Sequence, residues 1–291
     1  MPADDPRALR AVAVAVAVAA ARHVATRRPE VFGPVGDGGP AGAAAGEAVA
    51  TKSTPTDPVT VVDTETEDLI RALLGRLRPD DAILGEEGGG EAGRTNGVRW
   101  IVDPIDGTVN FLYGVPAFAV SVAAQIDGES VAGAVVDVAA GAVYSAARGH
   151  GAVLHEAVGG AHRLRCNPVS EVSMSLLATG FGYGRDRRLR QGALIAGVLP
   201  RVRDIRRIGS AALDLCMVAS GRVDAHFEHG LSPWDWAAGA LIAAEAGAVL
   251  RLPSPDTMSA AGAVVVAAAP GIAAELDAMF AELGVLDPIP D

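Results

Sequence analysis

The spacing of hydrophobic positions changes several times along the chain, and each change marks a different predicted element. Residues 7–27 and 64–78 carry apolar side chains at helical spacing, and Pro79 follows the second segment as a helix stop signal. Shorter apolar runs predict strands at 83–84, 98–102, 117–125, 131–137 and 142–147. Turn residues such as Asp127-Gly128 and Gly141 separate the last three runs, which favours an antiparallel meander.

The second half of the chain alternates between helical spacing of its hydrophobic residues and short apolar runs typical of strands. It predicts helices at 187–199, 209–219, 235–246 and 271–283, and strands at 176–179, 202–205, 223–227 and 263–268. Strands and helices mixed in this way indicate a layered α/β or α+β architecture. The 291 residues suit one large domain or two fused halves.

The N-terminal segment is the most apolar part of the chain. Its longest unbroken apolar run, 11–21, has eleven residues, whereas a bilayer span needs about 20. Asp4 and Asp5 precede the run, although a secretory signal favours a positive start, so we expect a first amphipathic helix rather than a signal peptide. Residues 29–46 are rich in Gly, Ala and Pro and predict a mobile loop.

Charge and cysteine content narrow the function classes. The net charge is −11, from 24 basic and 35 acidic residues, which argues against a nucleic-acid-binding protein and suits a soluble protein with or without a metal site. Two cysteines, Cys166 and Cys216, cannot build a disulfide framework, and their positions favour two buried thiols in a reducing compartment. No histidine pair has a metalloprotease spacing.

Two aspartates at the end of a predicted strand carry the first chemical signal. Asp103 and Asp106 are followed by Gly107 and Thr108, residues that suit a tight turn into a helix. Carboxylates suit hard divalent cations, and free N–H groups at a helix start suit phosphate oxygens, so the segment fits phosphoryl transfer. A plain helix cap is the alternative interpretation of the same residues.

Other carboxylates occupy comparable positions. Glu86 and Glu87 end a predicted strand before a glycine run, Asp235 lies between two tryptophans at a predicted helix start, and Asp63 follows a valine run before a helix. A solvated acidic pair and two helix caps are the alternatives at these three places.

These segments together resemble the inositol monophosphatases of the lithium-sensitive, magnesium-dependent phosphatase superfamily. Residues 103–108 (DPIDGT) and 234–239 (WDWAAG) are similar to two signatures of that family, residues 85–88 (GEEG) to a third motif, and Lys52 with Asp63 to a Lys…Asp arm. The resemblance covers about residues 50–270, with the motifs in the family's order. Segments 178–184 and 206–217 are similar to SuhB-type enzymes of actinobacteria.

The resemblance implies an α+β fold, a layered αβαβα sandwich formed as a single domain over 1–291. Its N-terminal half, about 1–150, would carry most metal ligands, and its C-terminal half, about 151–291, would carry Asp235 and the substrate rim. A homodimer, a cytoplasmic location, no membrane and no nucleic-acid partner are also expected.

The same resemblance assigns site roles. Two or three Mg²⁺ ions would be held by Glu86, Asp103, the Ile105 carbonyl, Asp106 and Asp235, with Li⁺ as an inhibitor. Catalytic roles would fall to Glu86, Thr108 and Asp63, and phosphate would be bound by Gly107 and Thr108. The remaining expected contacts are to substrate, from Asp106, Gly209, Ser210, Ala211, Glu228 and Asp235, with Lys52 as a possible addition.

The expected reaction is Mg²⁺-dependent hydrolysis of inositol-1-phosphate, a small phosphorylated polyol, by metal-activated water without a covalent intermediate. Phosphatase activity on histidinol phosphate, fructose bisphosphate or 3′-phosphoadenosine phosphates is the alternative within the same class. A SuhB-type regulatory binding protein is the alternative outside it.

Overall fold

A computed structural model describes residues 4–33, 48–52, 57–90 and 97–291. The helices are α1 (Pro6–Phe32), α2 (Val61–Leu77), α3 (Thr108–Tyr113), α4 (Arg185–Val198), α5 (Ala211–Ala219), α6 (Pro233–Glu245) and α7 (Ala273–Leu283). The strands of the N-terminal half are β1 (Val49–Thr51), β2 (Pro58–Thr60), β3 (Ala82–Gly85), β4 (Val98–Asp106), β5 (Ala119–Ile126), β6 (Glu129–Asp137) and β7 (Ala142–Ala147). The strands that follow are β8 (Ala152–Glu156), β9 (Gly160–Arg163), β10 (Leu176–Thr179), β11 (Asp204–Arg206), β12 (Ala225–His229), β13 (Val249–Arg251) and β14 (Val264–Ala268).

Two sheets organise the fold. The larger has the order β3-β4-β5-β6-β7-β8-β9, with β3 parallel to β4 and every later pair antiparallel. The smaller has the order β11-β10-β12-β14-β13 and mixes parallel and antiparallel pairs. The predicted meander of β5 to β7 is confirmed, and β8 and β9 extend it.

Helices cover both faces of both sheets. Helices α1 and α2 pack on one face of the larger sheet, and α5 and α6 fill the space between the two sheets. Helix α7 packs on the outer face of the smaller sheet, beside the C-terminal end of α4. The order of layers is therefore αβαβα, as expected from the resemblance.

Small side chains allow α6 to lie close to the larger sheet. A Cβ on Gly133 of β6 would stand 3.0 Å from the Ala238 Cα, closer than real Cβ atoms ordinarily approach another atom. The N-terminal end of the alanine-rich helix 233–245 also meets the sheet, because the Ser121 hydroxyl of β5 donates to the Trp234 carbonyl oxygen over 3.2 Å. Its position matters because Asp235 belongs to that end.

Helix α1 is long and apolar enough to cross a bilayer by length and composition alone. Its buried side chains recur at helical spacing and pack on β5, β6, β7 and α2 rather than facing outward all round: Leu9, Ala13, Val16, Ala17, Ala20, Ala21 and Val24. This one-sided burial is that of a helix that packs on the core, as predicted for the segment.

Several sequence expectations need correction. Helix α1 continues through Pro29 to Phe32, so residues 29–32 of the predicted loop are helical; its residues 34–46 lie outside the described part of the chain. Helix α2 begins at Val61 because the Thr60 side chain caps it, three residues before the predicted start. Cys216 is buried as expected, but Cys166 is only half-buried.

Candidate metal and phosphate site

The end of β4 brings Asp103 and Asp106 to the same side of the sheet. Residues three apart on a regular strand face opposite sides. The pairing of β4 with β5 shifts register between these two residues, and the irregularity turns the strand so that both carboxylates converge. Gly107 follows at φ 94°, a left-handed conformation that favours glycine, and α3 starts at Thr108.

Asp235 reaches the same place from the other side of the core. It is the third residue of α6, where its carboxylate accepts a 2.6 Å hydrogen bond from the Ser232 N–H in a capping box. The helix-cap interpretation is thus correct for this residue, but it does not exclude a metal role. One carboxylate oxygen each of Asp103, Asp106 and Asp235 lie within 4.8 Å of one another.

Glu86 joins this group from the turn after β3. Its charge acts on those of Asp103 and Asp106, and the Lys52 ammonium donates to its carboxylate over 2.8 Å. Lys52 also donates to Glu87 over 2.6 Å. Glu86 and Glu87 are therefore not a solvated acidic pair: one faces the aspartates and both hold the lysine.

Glu67 of α2 fixes the turn that carries Glu86, a role that the sequence pattern does not predict. Its carboxylate accepts 2.7 Å hydrogen bonds from the N–H groups of Glu87 and Gly88. A Cβ on Gly85 or Gly88 would overlap the same carboxylate, at 2.4 and 2.7 Å. The i,i+4 pair of Glu67 and Arg71 is visible in the sequence, but its contact with the glycine-rich turn is not.

Asp63 and Thr108 form a second polar pair beside the aspartates. Asp63 is buried, caps α2 through Thr60, and accepts a 3.2 Å hydrogen bond from the Thr108 hydroxyl. The same hydroxyl lies 3.1 Å from the Ile105 carbonyl oxygen. Burial, opposed by the Thr60 hydrogen bonds and reinforced by the Glu86 charge, raises the pKa of Asp63 to about 7.

The charges of the cluster repel one another. Burial, then the neighbouring Glu86 and Asp106 carboxylates, hold the pKa values of Asp103 and Asp235 well above their usual range. Burial raises the pKa of Asp106 to about 6, against hydrogen bonds from Ser210 and the Ala212 N–H. At Lys52 burial disfavours the ammonium, but Glu86 and Glu87 outweigh it and raise the pKa.

This donor set fits divalent cations of the magnesium type. Such cations take oxygen ligands, and the converging side chains offer carboxylate oxygens without nitrogen or sulfur. A cation among them would offset the repulsion that now raises their pKa values. Asp106 would share one oxygen with protein donors, because its Oδ2 accepts hydrogen bonds from the Ser210 hydroxyl and from the Ala212 N–H.

The predicted substrate rim adjoins this cluster. Ser210 caps α5 and donates to Asp106, so its hydroxyl links the rim to the metal ligands. A Cβ on Gly107 would stand 3.0 Å from the Gly209 carbonyl oxygen, which places the two loops in contact. Ala211 follows in the first turn of α5, and the Glu228 carboxyl lies at the far side, against Gly180.

Two further side chains support the rim and were not anticipated. The Asn110 amide donates to the carbonyl oxygens of Ala117 and Ile208, over 2.7 and 2.9 Å, and so ties α3 to the Gly209 loop. Arg207 lies 6.0 Å from the Phe181 ring centroid, and its charge acts on both Asp106 and Glu228. Asparagine and arginine in polar segments carry no distinctive pattern, so only their contacts reveal them.

Comparison with known proteins agrees with this geometry. The chain matches the Inositol monophosphatase family over residues 5–283. It is 58% identical over 296 residues to the inositol-1-monophosphatase SuhB of Mycobacterium tuberculosis, covering 100% of this chain and 99% of that protein. It is 42% identical over 195 residues to the Nus factor SuhB of Vibrio cholerae, covering 67% of this chain and 71% of the relative.

Solved structures extend the likeness to three dimensions. Mycobacterium tuberculosis SuhB superposes with a TM-score of 0.80 at 53% identity, covering 98% of this chain and 100% of that one. The inositol monophosphatase of Thermotoga maritima gives a TM-score of 0.74 at 29% identity, covering 94% and 96%. With motifs, layers and converging carboxylates in agreement, the chain belongs to the inositol monophosphatase family and is a phosphatase of that family.

Proposed function

We propose that the protein hydrolyses inositol-1-phosphate to inositol and phosphate with Mg²⁺. The observation that carries the proposal is the convergence of one oxygen each from Asp103, Asp106 and Asp235 within 4.8 Å, with the Glu86 charge acting on the same carboxylates. These four side chains and the Ile105 carbonyl would hold two to three ions. When bound, Mg²⁺ would neutralise the phosphate ester and lower the pKa of a water molecule.

The polar pair beside the cluster supports the attack of water. Thr108 offers one hydroxyl, and Asp63 is the carboxylate that accepts from it. A hydroxyl held by a buried carboxylate can accept a hydrogen bond from water and orient its lone pair toward phosphorus. Gly107 and Thr108 would bind the phosphate through their backbone N–H groups, and Lys52 would orient Glu86.

The polyol would lie on the rim formed by Gly209, Ser210, Ala211 and Glu228, with Asp106 and Asp235 at its inner edge. A carboxyl at Glu228 can hydrogen-bond to ring hydroxyls. The relatives named inositol-1-monophosphatase support this substrate for the present chain.

A panel of phosphate esters tests the substrate. Inositol-1-phosphate, histidinol phosphate, fructose-1,6-bisphosphate and 3′-phosphoadenosine 5′-phosphate should be compared at saturating Mg²⁺, with and without Li⁺. We expect the highest kcat/KM for inositol-1-phosphate, no turnover with EDTA, and inhibition by Li⁺. Much faster turnover of histidinol phosphate would contradict the assignment, and turnover unaffected by EDTA would contradict the metal mechanism.

A regulatory role is the second candidate, because the Vibrio relative is named a Nus factor. A protein that had lost its activity would lack one of the carboxylates, whereas Glu86, Asp103, Asp106 and Asp235 are all present. The net charge of −11 also disfavours RNA contact. A cytoplasmic location and a homodimer belong to the same proposal, and sedimentation of the purified protein would test the dimer.

A further inference from the structure

A second group of titratable side chains lies behind the substrate rim. His226 and Glu228 are two apart on β12, so both side chains face α5, where Asp214 lies opposite them. One ligand-type atom from each of the three lies within 4.8 Å of the others. None of the site roles above uses Asp214 or His226.

The imidazole of His226 lies between the two carboxyls. Its Nδ1 is 3.7 Å from an Asp214 oxygen, and its Nε2 is 3.9 Å from a Glu228 oxygen. Both ring nitrogens and both Asp214 oxygens are fully buried, and none of these four atoms has a hydrogen-bond partner within the described part of the chain. The side-chain exposures are 0% for His226 and 1% for Asp214.

Four buried polar atoms without partners are unfavourable, because each has lost its hydrogen bonds to water without gaining one in the protein. Such groups are retained in proteins when something satisfies them in the working state. The two carboxyls approach opposite ring nitrogens, which favours a chain of linked hydrogen bonds over a single shared ion. A shift of about 1 Å at each gap would bring the atoms to hydrogen-bond distance.

We infer that Asp214 and His226 are positioning residues that hold the Glu228 carboxyl in place for the hydroxyl groups of the polyol. The inference rests on the proposed function, in which Glu228 contacts the polyol. Gly180 completes the arrangement, because a Cβ there would stand 2.1 Å from the Glu228 oxygens. The carboxyl is thus confined by Gly180 on one side and His226 on the other.

The ionisation of the three groups agrees with this role. Burial lowers the pKa of His226 to about 3, so the ring is neutral and offers one donor and one acceptor. Burial raises the pKa of Glu228 to about 8, against the nearby Arg207, and holds that of Asp214 well above its usual range. A protonated carboxyl can donate to the acceptor nitrogen while the N–H donates to the other carboxyl.

The test compares a polyol ester with an ester that lacks hydroxyl groups. For His226→Phe we expect KM for inositol-1-phosphate to rise about tenfold, the loss of about one buried hydrogen bond, with kcat nearly unchanged. Both constants for p-nitrophenyl phosphate should stay at their wild-type values. His226→Gln, which keeps a donor and an acceptor, should recover part of the affinity, which a purely packing role would not predict.

Two variants make the test independent of folding. Asp214→Asn disturbs the same linked hydrogen bonds from the side of α5. It should also raise KM for inositol-1-phosphate, so it provides the test if His226→Phe does not fold. His229→Phe is the matched control, because His229 lies on the opposite face of β12 and contacts the Val285 carbonyl at 2.8 Å. We expect His229→Phe to lower the melting temperature without changing the ratio of the two KM values.

The outcomes separate this inference from the proposed function. If Glu228→Gln raises KM for inositol-1-phosphate and folded His226→Phe and Asp214→Asn do not, the positioning role is wrong and the proposed function stands. If wild-type protein hydrolyses neither ester with Mg²⁺, the proposed function is wrong. One tightly bound zinc ion per chain, lost in Asp214→Asn by elemental analysis, would also overturn the inference in favour of a metal site.

Discussion

At the scale of single residues, the site is defined by carboxylates that are unfavourable without a cation. Asp103 is 1% exposed and lies against Glu86, Asp106 and Asp235, all of which carry the same charge when ionised. Buried like charges cost free energy unless a counter-ion offsets them. The residues that look least favourable for folding are therefore the ones proposed to bind Mg²⁺.

Changing Asp103 to Asn should separate function from stability. We expect kcat/KM to fall by on the order of a thousandfold or more, since bound cations supply several kcal/mol of charge stabilisation. The metal-free variant should melt no lower than wild type, because a buried, repelled carboxylate has been removed. Calorimetry with and without Mg²⁺ should also show that the Mg²⁺-induced rise in melting temperature is lost.

The control for that experiment is Asp137→Asn. Asp137 ends β6, two strands from Asp106 in the sheet, and accepts a 2.9 Å hydrogen bond from the Ala140 N–H in the turn that follows. The Asp137→Asn variant should retain activity, and Mg²⁺ should still raise its melting temperature. Near-normal turnover by Asp103→Asn would refute the metal assignment.

The Thr108 hydroxyl is expected to act on kcat. Thr108→Ala should lower kcat about 10²-fold, the lower range for a positioned proton-transfer group, and leave KM nearly unchanged. Thr108→Ser keeps the hydroxyl that donates to Asp63 and should keep most of the activity. Steady-state kinetics on inositol-1-phosphate measure both, and equal losses in Ala and Ser variants would contradict the role.

At the scale of elements, loops and helix starts carry the chemistry while the sheets hold them. The register shift at the end of β4 turns two aspartates to one side, and a capping box fixes Asp235 at the start of α6. Helix α2 supplies Asp63 at its first turn and Glu67 one turn later. Three elements distant in sequence therefore depend on one another for the metal geometry.

The contact between Glu67 and the glycine turn predicts an effect on metal affinity. In Gly88→Ala the new Cβ would stand 2.7 Å from a Glu67 oxygen and 2.9 Å from Arg71 Nε, so either the Glu67 carboxylate or the turn must shift, and the hydrogen bonds that hold the turn with Glu86 are disturbed. We expect the Mg²⁺ concentration for half-maximal activity to rise about tenfold, a typical effect of disturbing groups that orient metal ligands.

Gly75→Ala is the matched control, since nothing lies within 4 Å of its added Cβ and the residue is inside α2. It should leave the Mg²⁺ dependence unchanged and stabilise the fold by about 1 kcal/mol. An unchanged Mg²⁺ dependence in Gly88→Ala would show that Glu67 does not fix the turn.

At the scale of the whole molecule, the buried carboxyls should give the metal-free protein an unusual pH dependence. Burial raises the pKa of Asp63 to about 7 and that of Glu228 to about 8, above the ordinary value of about 4 in the unfolded chain. The folded chain thus binds protons that the unfolded chain has released. Its free energy of unfolding must fall as pH rises toward and through these folded values.

Melting with EDTA at pH 6.5 and 8.5 measures this effect. We expect the metal-free protein to lose on the order of 2 kcal/mol across that interval. The lowered pKa of His226 acts in the opposite direction, but only below about pH 6.5, where an unfolded histidine takes up its proton. Saturating Mg²⁺ should reduce the loss, since cations bind the deprotonated ligands; equal melting at both pH values without metal would contradict the prediction.

The sequence by itself determined the elements and the residue types of the site. The spacing of hydrophobic residues along the sequence reflects which side chains are buried. Most helices and strands were therefore predictable to within a few residues. The exceptions were short strands at or next to a sheet edge, such as β8, β9 and β13, which bury too little to leave a clear pattern. The family resemblance rested on local motifs, which are continuous in sequence.

Only the tertiary structure decided which residues act together. Glu67 and Asn110 support the site through contacts between elements, and such contacts leave no periodic signal. The sequence pattern assigns His226 no role, yet the pairing of β12 and the position of α5 place it between Asp214 and Glu228. Burial and proximity set the pKa values and leave buried polar atoms without water as a hydrogen-bond partner. Burial and proximity arise only when distant segments pack together.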